Sequence, residues 1–102
     1  MAMLLRFEAE VWKYRGESTW HFVTLPLAFA DEIRELADEH RRGFGSVRVK
    51  ATIGTSMWAT SVFPEKASGS YVLPIKKSVR SAEDLDDGAS AMVLLEIVAH
   101  GQ

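Results

Sequence analysis

Two runs of two-residue alternation limit what this chain can fold into more than any other feature. Leu5, Phe7, Ala9 and Val11 share one parity against Arg6, Glu8 and Glu10, and Val47, Val49, Ala51 and Ile53 alternate with Arg48, Lys50 and Thr52. Successive side chains of a strand point to opposite faces, so each run predicts a strand with one face buried. Other strand-like segments surround them. Thr19 to Leu25 is rich in aromatic and β-branched residues and is stopped by Pro26, which cannot donate to a ladder. Tyr14 to Ser18, built around Gly16, reads as the hairpin turn before it. Met57 to Phe63 follows a turn at Gly54-Thr55-Ser56, and Pro64 to Ser70 is a polar loop. Tyr71 to Ile75 is stopped at or just after Pro74, and Ala89 to Ala99 forms an apolar last strand.

A clear helical period occurs in one place. Phe29, Ile33, Leu36, Ala37 and His40 recur at spacings of three and four and share a face. Asp31 and Glu32 near its start and Arg41 and Arg42 near its end suit the helix dipole, and Gly43 is placed for a C-cap. Lys76 to Ala82 has room for one or two more helical turns. The resulting order, β-β-α-β-β-β-α-β, has too few helices for a parallel sheet, where nearly every strand needs a crossover. The expected fold is mainly β, a small closed six-stranded barrel that hides its edges, with one long and one short helix.

The chain of 102 residues reads as a single domain, 1–102, long enough for one hydrophobic core without metals or disulfides. It contains no cysteine, which removes thiolate zinc sites and cysteine nucleophiles and fits a reducing compartment. A net charge of -2 argues against generic nucleic-acid binding, because domains that live on the phosphate backbone are usually basic. No run approaches the ~20 apolar residues of a membrane span. The charged residues among Met1 to Val11 are unlike a secretory signal, so the expectation is a cytoplasmic, unprocessed chain with no membrane role.

Three ordered strings carry a family resemblance. They are Trp20-His21-Phe22-Val23-Thr24-Leu25-Pro26; Val47 through Gly54 to Trp58-Ala59-Thr60-Ser61-Val62-Phe63-Pro64; and Tyr71-Val72-Leu73-Pro74-Ile75-Lys76 with Val79-Arg80 and then Gly88. Together they span nearly the whole chain and resemble a bacterial domain-of-unknown-function family, number nineteen-oh-five in its series. The resemblance implies a double-split barrel, related in architecture to the swapped-hairpin barrels of some transcription and antitoxin proteins. It implies no activity, and it makes a partner role plausible. Where that family tends to have Gly-Asp opening the last strand, this chain has Gly88-Ala89, so no role of that aspartate carries over.

Catalytic chemistry needs titratable groups held against one another. His21, His40 and His100 show no metal-ligand spacing, and Glu83-Asp84-Leu85-Asp86-Asp87-Gly88 lacks the alternating ligands and closing glutamate of a calcium loop. Gly43 and Gly45 precede a strand rather than the helix that a phosphate loop requires. No serine sits in a nucleophile elbow, and no cofactor is implied.

What rises above this background is cationic and aromatic. Lys76, Lys77 and Arg80 cluster at the short helix, Arg48 and Lys50 project from one strand face, and Trp58 and Tyr71 lie on neighbouring segments. Such a group suits a small anion at a barrel mouth, with Arg80 the leading residue, followed by Lys76, Trp58, Tyr71, Arg48 and Lys50. Trp20 and Pro26 read as structural, the first packing the barrel and the second closing its strand, and Gly54, Pro64 and Gly88 read as turn or strand-end residues. The leading expectation is a non-catalytic binding or interaction module for a small anion or a protein partner, as monomer or homodimer. A nucleic-acid-associated barrel would need Arg48, Lys50, Lys76, Lys77 and Arg80 on one face. An enzyme would have to use His21 or Ser61 in a pocket with no visible partner group. The run Met92-Val93-Leu94-Leu95 is apolar on both parities, so a helix or a second chain is expected to cover each face.

Overall fold

The computed structural model describes residues 2–15, 19–40 and 45–98. The turn expected around Gly16, the C-cap expected at Gly43, the cations Arg41 and Arg42, His100 and the side chains of Ala37 and His40 lie outside the described residues.

The fold is mainly β, with seven strands and two helices. The strands are β1 (Ala2–Glu10), β2 (Trp12–Lys13), β3 (His21–Thr24), β4 (Val47–Ile53), β5 (Ser56–Glu65), β6 (Ser70–Pro74) and β7 (Ser90–Val98), and the helices are α1 (Leu27–His40) and α2 (Lys77–Glu83). They form one curled antiparallel sheet in the order β1-β7-β4-β5-β6-β3-β2.

The strand count is one more than the alternation predicts, and the reason is at Val11. Its N–H donates to the Ala89 carbonyl and its own carbonyl accepts from Gly88, both at 2.7 Å, so it completes the pairing with the β7 side. One residue later Trp12 pairs with Phe22 on β3. The alternation ends at Val11, after which apolar Trp12 and charged Lys13 reverse its parity, and two residues are too few to announce a second strand.

On β1 and β4 the buried parities are the predicted ones, and on β7, where the sequence is apolar on both, the structure buries Val93, Leu95 and Ile97. Leu5, Phe7 and Val11, then Val49, Ala51 and Ile53, then Val93, Leu95 and Ile97 point into the curl, where Val62, Leu73 and Ile33 of α1 meet them. Each of these large side chains contributes about 1.5–3 kcal/mol by leaving water. α1 lies over β4 and β6, with Phe29 packed against Phe7 at 6.2 Å between ring centroids. Pro26 sits between β3 and α1 and accepts from the Phe29 N–H at 3.0 Å, so it closes one element and opens the next.

Several expectations are corrected. α1 starts at Leu27, which puts Asp31 and Glu32 beyond its first turn; Asp31 instead bonds Arg34 at 2.9 Å on the exposed face. Pro64 does not end its strand: β5 runs on to Glu65, with Pro64 opposite Tyr71 of β6. The β4 register stops at Val47 opposite Val62, so past Val62 no β4 residue needs an N–H from Pro64. Trp20 does not pack the interior. It is 59% exposed and stacked on Phe22, because the inward parity of its segment belongs to Val23 and Leu25. On β7 the second apolar parity is not wholly covered within the chain, since Met92 remains 56% exposed.

Gly54 makes the β4–β5 hairpin possible. Ile53 pairs with Ser56, leaving the two-residue turn Gly54-Thr55, and Gly54 takes φ 59. Glycine alone adopts that conformation without a Cβ penalty. The turn also grips α2. The Glu83 carboxylate accepts from Ser56 Oγ at 2.7 Å and from the Thr55 amide and hydroxyl at 3.3 Å each.

Candidate functional site

The site arises where two neighbouring strands stop pairing. β5 and β6 are in register only from Phe63 opposite Val72 to Glu65 opposite Ser70. Beyond Val72, β6 stays with β3, as Val23 opposite Leu73 and Phe22 opposite Pro74 show. The segment Trp58 to Val62 stays with β4. The two strands therefore diverge, and α2 is laid against β5 beside the gap. Pro74 suits this split, because with β3 on one side and nothing on the other its missing N–H costs no ladder bond.

The result is a cleft of about 440 Å³, within the ordinary range for small-molecule sites. One wall is Trp58, Ala59, Thr60 and Phe63 of β5, and the other is Pro74 and Ile75 at the end of β6. Trp20 and His21 border it where β3 begins, and Lys76, Lys77 and Arg80 supply its cationic rim. Among the described residues no carboxylate lines it, although the chain as a whole carries a net charge of -2.

The helix that presents these cations is fixed at several points. Val79, 4% exposed, anchors its inner face, and Leu85, at 4%, anchors the segment just after it. Asp84 closes the helix in the left-handed region at φ 60. Glu83 ties its end to the β4–β5 turn. The Ser56 hydroxyl is the main cause holding the Glu83 carboxyl below its ordinary value, aided by Thr55 and opposed by partial desolvation.

On the other side Arg80 reaches β3, its Nη1 lying 3.0 Å from His21 Nδ1. The same Nδ1 lies 2.7 Å from the Thr19 carbonyl oxygen. These neighbours ask opposite things of one nitrogen: the carbonyl needs a proton donated to it, the guanidinium needs a lone pair. His21 can satisfy only one at a time, so its contact with Arg80 is an exchangeable one.

Of the residues singled out from the sequence, Arg80, Lys76 and Trp58 come together in this cleft. Trp58 contributes only the edge that remains open, being 8% exposed. Tyr71 is not at the cleft: it is 2% exposed in the core, and its carbonyl accepts from Leu25 at 2.9 Å. Arg48 and Lys50 are not among the lining residues either. They lie on the outer face of β4, where Lys50 Nζ is 4.0 Å from Glu96. Ser61 stands opposite Arg48 in the ladder and is not among the lining residues. Gly88, at φ 93, needs the left-handed region where the chain turns into β7.

Sequence reasoning missed Phe63 and Trp20 as site residues and offered His21 only as the catalytic group of an enzyme. For His21 a signal existed: it shares the inward parity of Val23 and Leu25 at the open end of their strand. Among the described residues there is no group of three or more acidic or histidine side chains placed to hold a metal ion, and no helix is long and apolar enough to cross a membrane.

A family model described as a domain of unknown function (DUF1905) matches residues 7–95, so the chain belongs to that family. No curated protein matches it.

Proposed function

With membership of a family that prescribes no activity as the premise, we propose that this protein is a binding module whose cleft takes a small organic anion. The observation that carries the proposal is the composition of the cleft: Lys76, Lys77 and Arg80 beside Trp20, Trp58 and Phe63, with no carboxylate among the described lining residues. Pockets that hold small ligands combine an apolar wall with a few convergent polar groups, and a guanidinium offers a fork that matches carboxylate or phosphate. Arg80 is the anchor in this reading, since it can leave His21 for an incoming oxyanion while His21 turns its proton to Thr19.

The fold supports the role by holding the two walls rigidly. Glu10 ends the strand at one edge of the sheet and Trp12 begins the strand at the other, so Val11 links the two edges. Counting β1 and β2 as one bent strand gives a closed six-stranded barrel with splits between strands, and the cleft occupies one split. A cytoplasmic setting belongs to the same proposal, consistent with a chain that has no cysteine.

The test is a thermal-shift screen of the protein with millimolar benzoate, phenyl phosphate and inorganic phosphate. A ligand that binds only the native state raises the melting midpoint by mass action. The expected result is a concentration-dependent rise that disappears in Arg80→Ala. If no anion moves the midpoint, or if Arg80→Ala responds as the parent does, the proposal fails.

A further inference from the structure

Resting on the anion-binding reading above, we infer that the ligand is a phosphate monoester carried on a planar heteroaromatic ring, with a nucleoside monophosphate as its simplest form. Two independent features of the cleft point there.

The first is charge. Lys76, Lys77 and Arg80 line the same cleft with no acidic residue among its described lining, and His21 adds a ring nitrogen beside Arg80. A single carboxylate would leave most of this positive charge unanswered. A phosphate monoester carries about -1.5 to -2 at neutral pH and presents three acceptor oxygens, enough for more than one cation.

The second is a series of rings that leads to the cleft. Phe22 contacts both Trp12 and Trp20, at centroid distances of 5.1 and 6.0 Å, with the Trp12 ring tilted by 34° and the Trp20 ring stacked at 22°. Trp12 is locked from behind by its indole N–H, which donates to Thr24 Oγ1 at 2.9 Å. Trp20 is the member that borders the cleft, and it is 59% exposed. A planar base laid on Trp20 would extend the stack by one ring. Base–aromatic stacking tolerates any base, because each has a π face. The volume, about 440 Å³, suits one nucleotide rather than a strand.

Isothermal titration of the whole chain tests this with the four ribonucleoside monophosphates, the corresponding nucleosides and inorganic phosphate. At least one monophosphate should bind about tenfold or more tighter than both its nucleoside and phosphate, about what one stacked base is worth. Trp20→Ala should remove most of that advantage while leaving the affinity for phosphate unchanged, and Lys76→Ala should weaken both. Circular dichroism confirms that the Trp20→Ala chain is folded. A 5′-phosphorylated tetranucleotide that binds as tightly as the monophosphate would place the same chemistry on a strand end; much weaker binding would place it on a free nucleotide. If phosphate binds as well as every monophosphate, or Trp20→Ala changes nothing, the ring-bearing ligand is refuted while the anion site stands. If neither phosphate nor any monophosphate binds, while benzoate raises the melting midpoint, the phosphate-ester inference alone is lost. If no anion of any kind binds, the anion site is lost with it.

Discussion

Substituting Gly54 by alanine probes the joint that holds α2 at the cleft. Two separate penalties follow from the geometry. Gly54 has φ 59, where a residue with a Cβ is destabilised by about 1–2 kcal/mol. In addition, a Cβ built at Gly54 runs into the Glu83 carboxylate, which must then leave Ser56 and Thr55. A double-mutant cycle separates the two. In the parent background, Gly54→Ala should cost more than the backbone penalty alone. In a Glu83→Ala background the collision is gone, so the cost should fall back to about 1–2 kcal/mol, or roughly 4–16 °C in melting midpoint for a domain near this size. The assay is urea unfolding at neutral pH, followed by tryptophan fluorescence and repeated for the four chains. Strictly additive costs would refute the reasoning, since they would mean that Gly54 and Glu83 do not approach each other as described.

The same glutamate sets a pH dependence. Its folded pKa is depressed, so its contribution is present above the ordinary carboxylate range and is lost as pH falls through the folded value; the stability gap between parent and Glu83→Gln should be larger at pH 7 than at pH 3 in urea titrations. Leu73→Ala removes a side chain that is 0% exposed and should destabilise by about 2–5 kcal/mol, read from the same unfolding curves. Ser70→Ala removes the buried hydroxyl that donates to the Leu25 carbonyl at 2.9 Å and should cost about 1 kcal/mol, measured by urea midpoint. Lys50→Ala, whose contact with Glu96 at 4.0 Å is exposed, should change stability by less than about 1 kcal/mol and leave anion binding untouched in the thermal-shift screen.

Much of the architecture is legible because burial and alternation coincide. Val49, Ala51 and Ile53 announce both their strand and its inner face, and the Gly54 turn fixes the register of the next. The site is harder to read because it is made by pairing that stops. Nothing in Trp58 to Phe63 or in Leu73-Pro74 says that these segments part company; that depends on which neighbour each retains. The cations at Lys76, Lys77 and Arg80 are visible as a cluster, yet their direction follows from the anchoring of Val79 and Glu83. Tyr71 shows the converse: an aromatic on a strand next to the site is core, because β6 is buried on both faces there. Trp20 and His21 lie on opposite parities of one segment, and both border the cleft, Trp20 from the outer ring stack and His21 from the inner side.

The pairing of β1 with β7 has a consequence for synthesis on the ribosome. Glu8 bonds Ser90 across 82 positions of chain, and the backbone of β1 finds its ladder only when that partner exists. At roughly 5–20 residues per second, translation delivers β7 about 4–16 s after β1, whereas a hairpin such as β4–β5 closes within about 1–10 μs. β1 must therefore wait, without its ladder partner, while the residues between the two strands are made. It is the segment on which a nascent-chain chaperone would gain the longest hold.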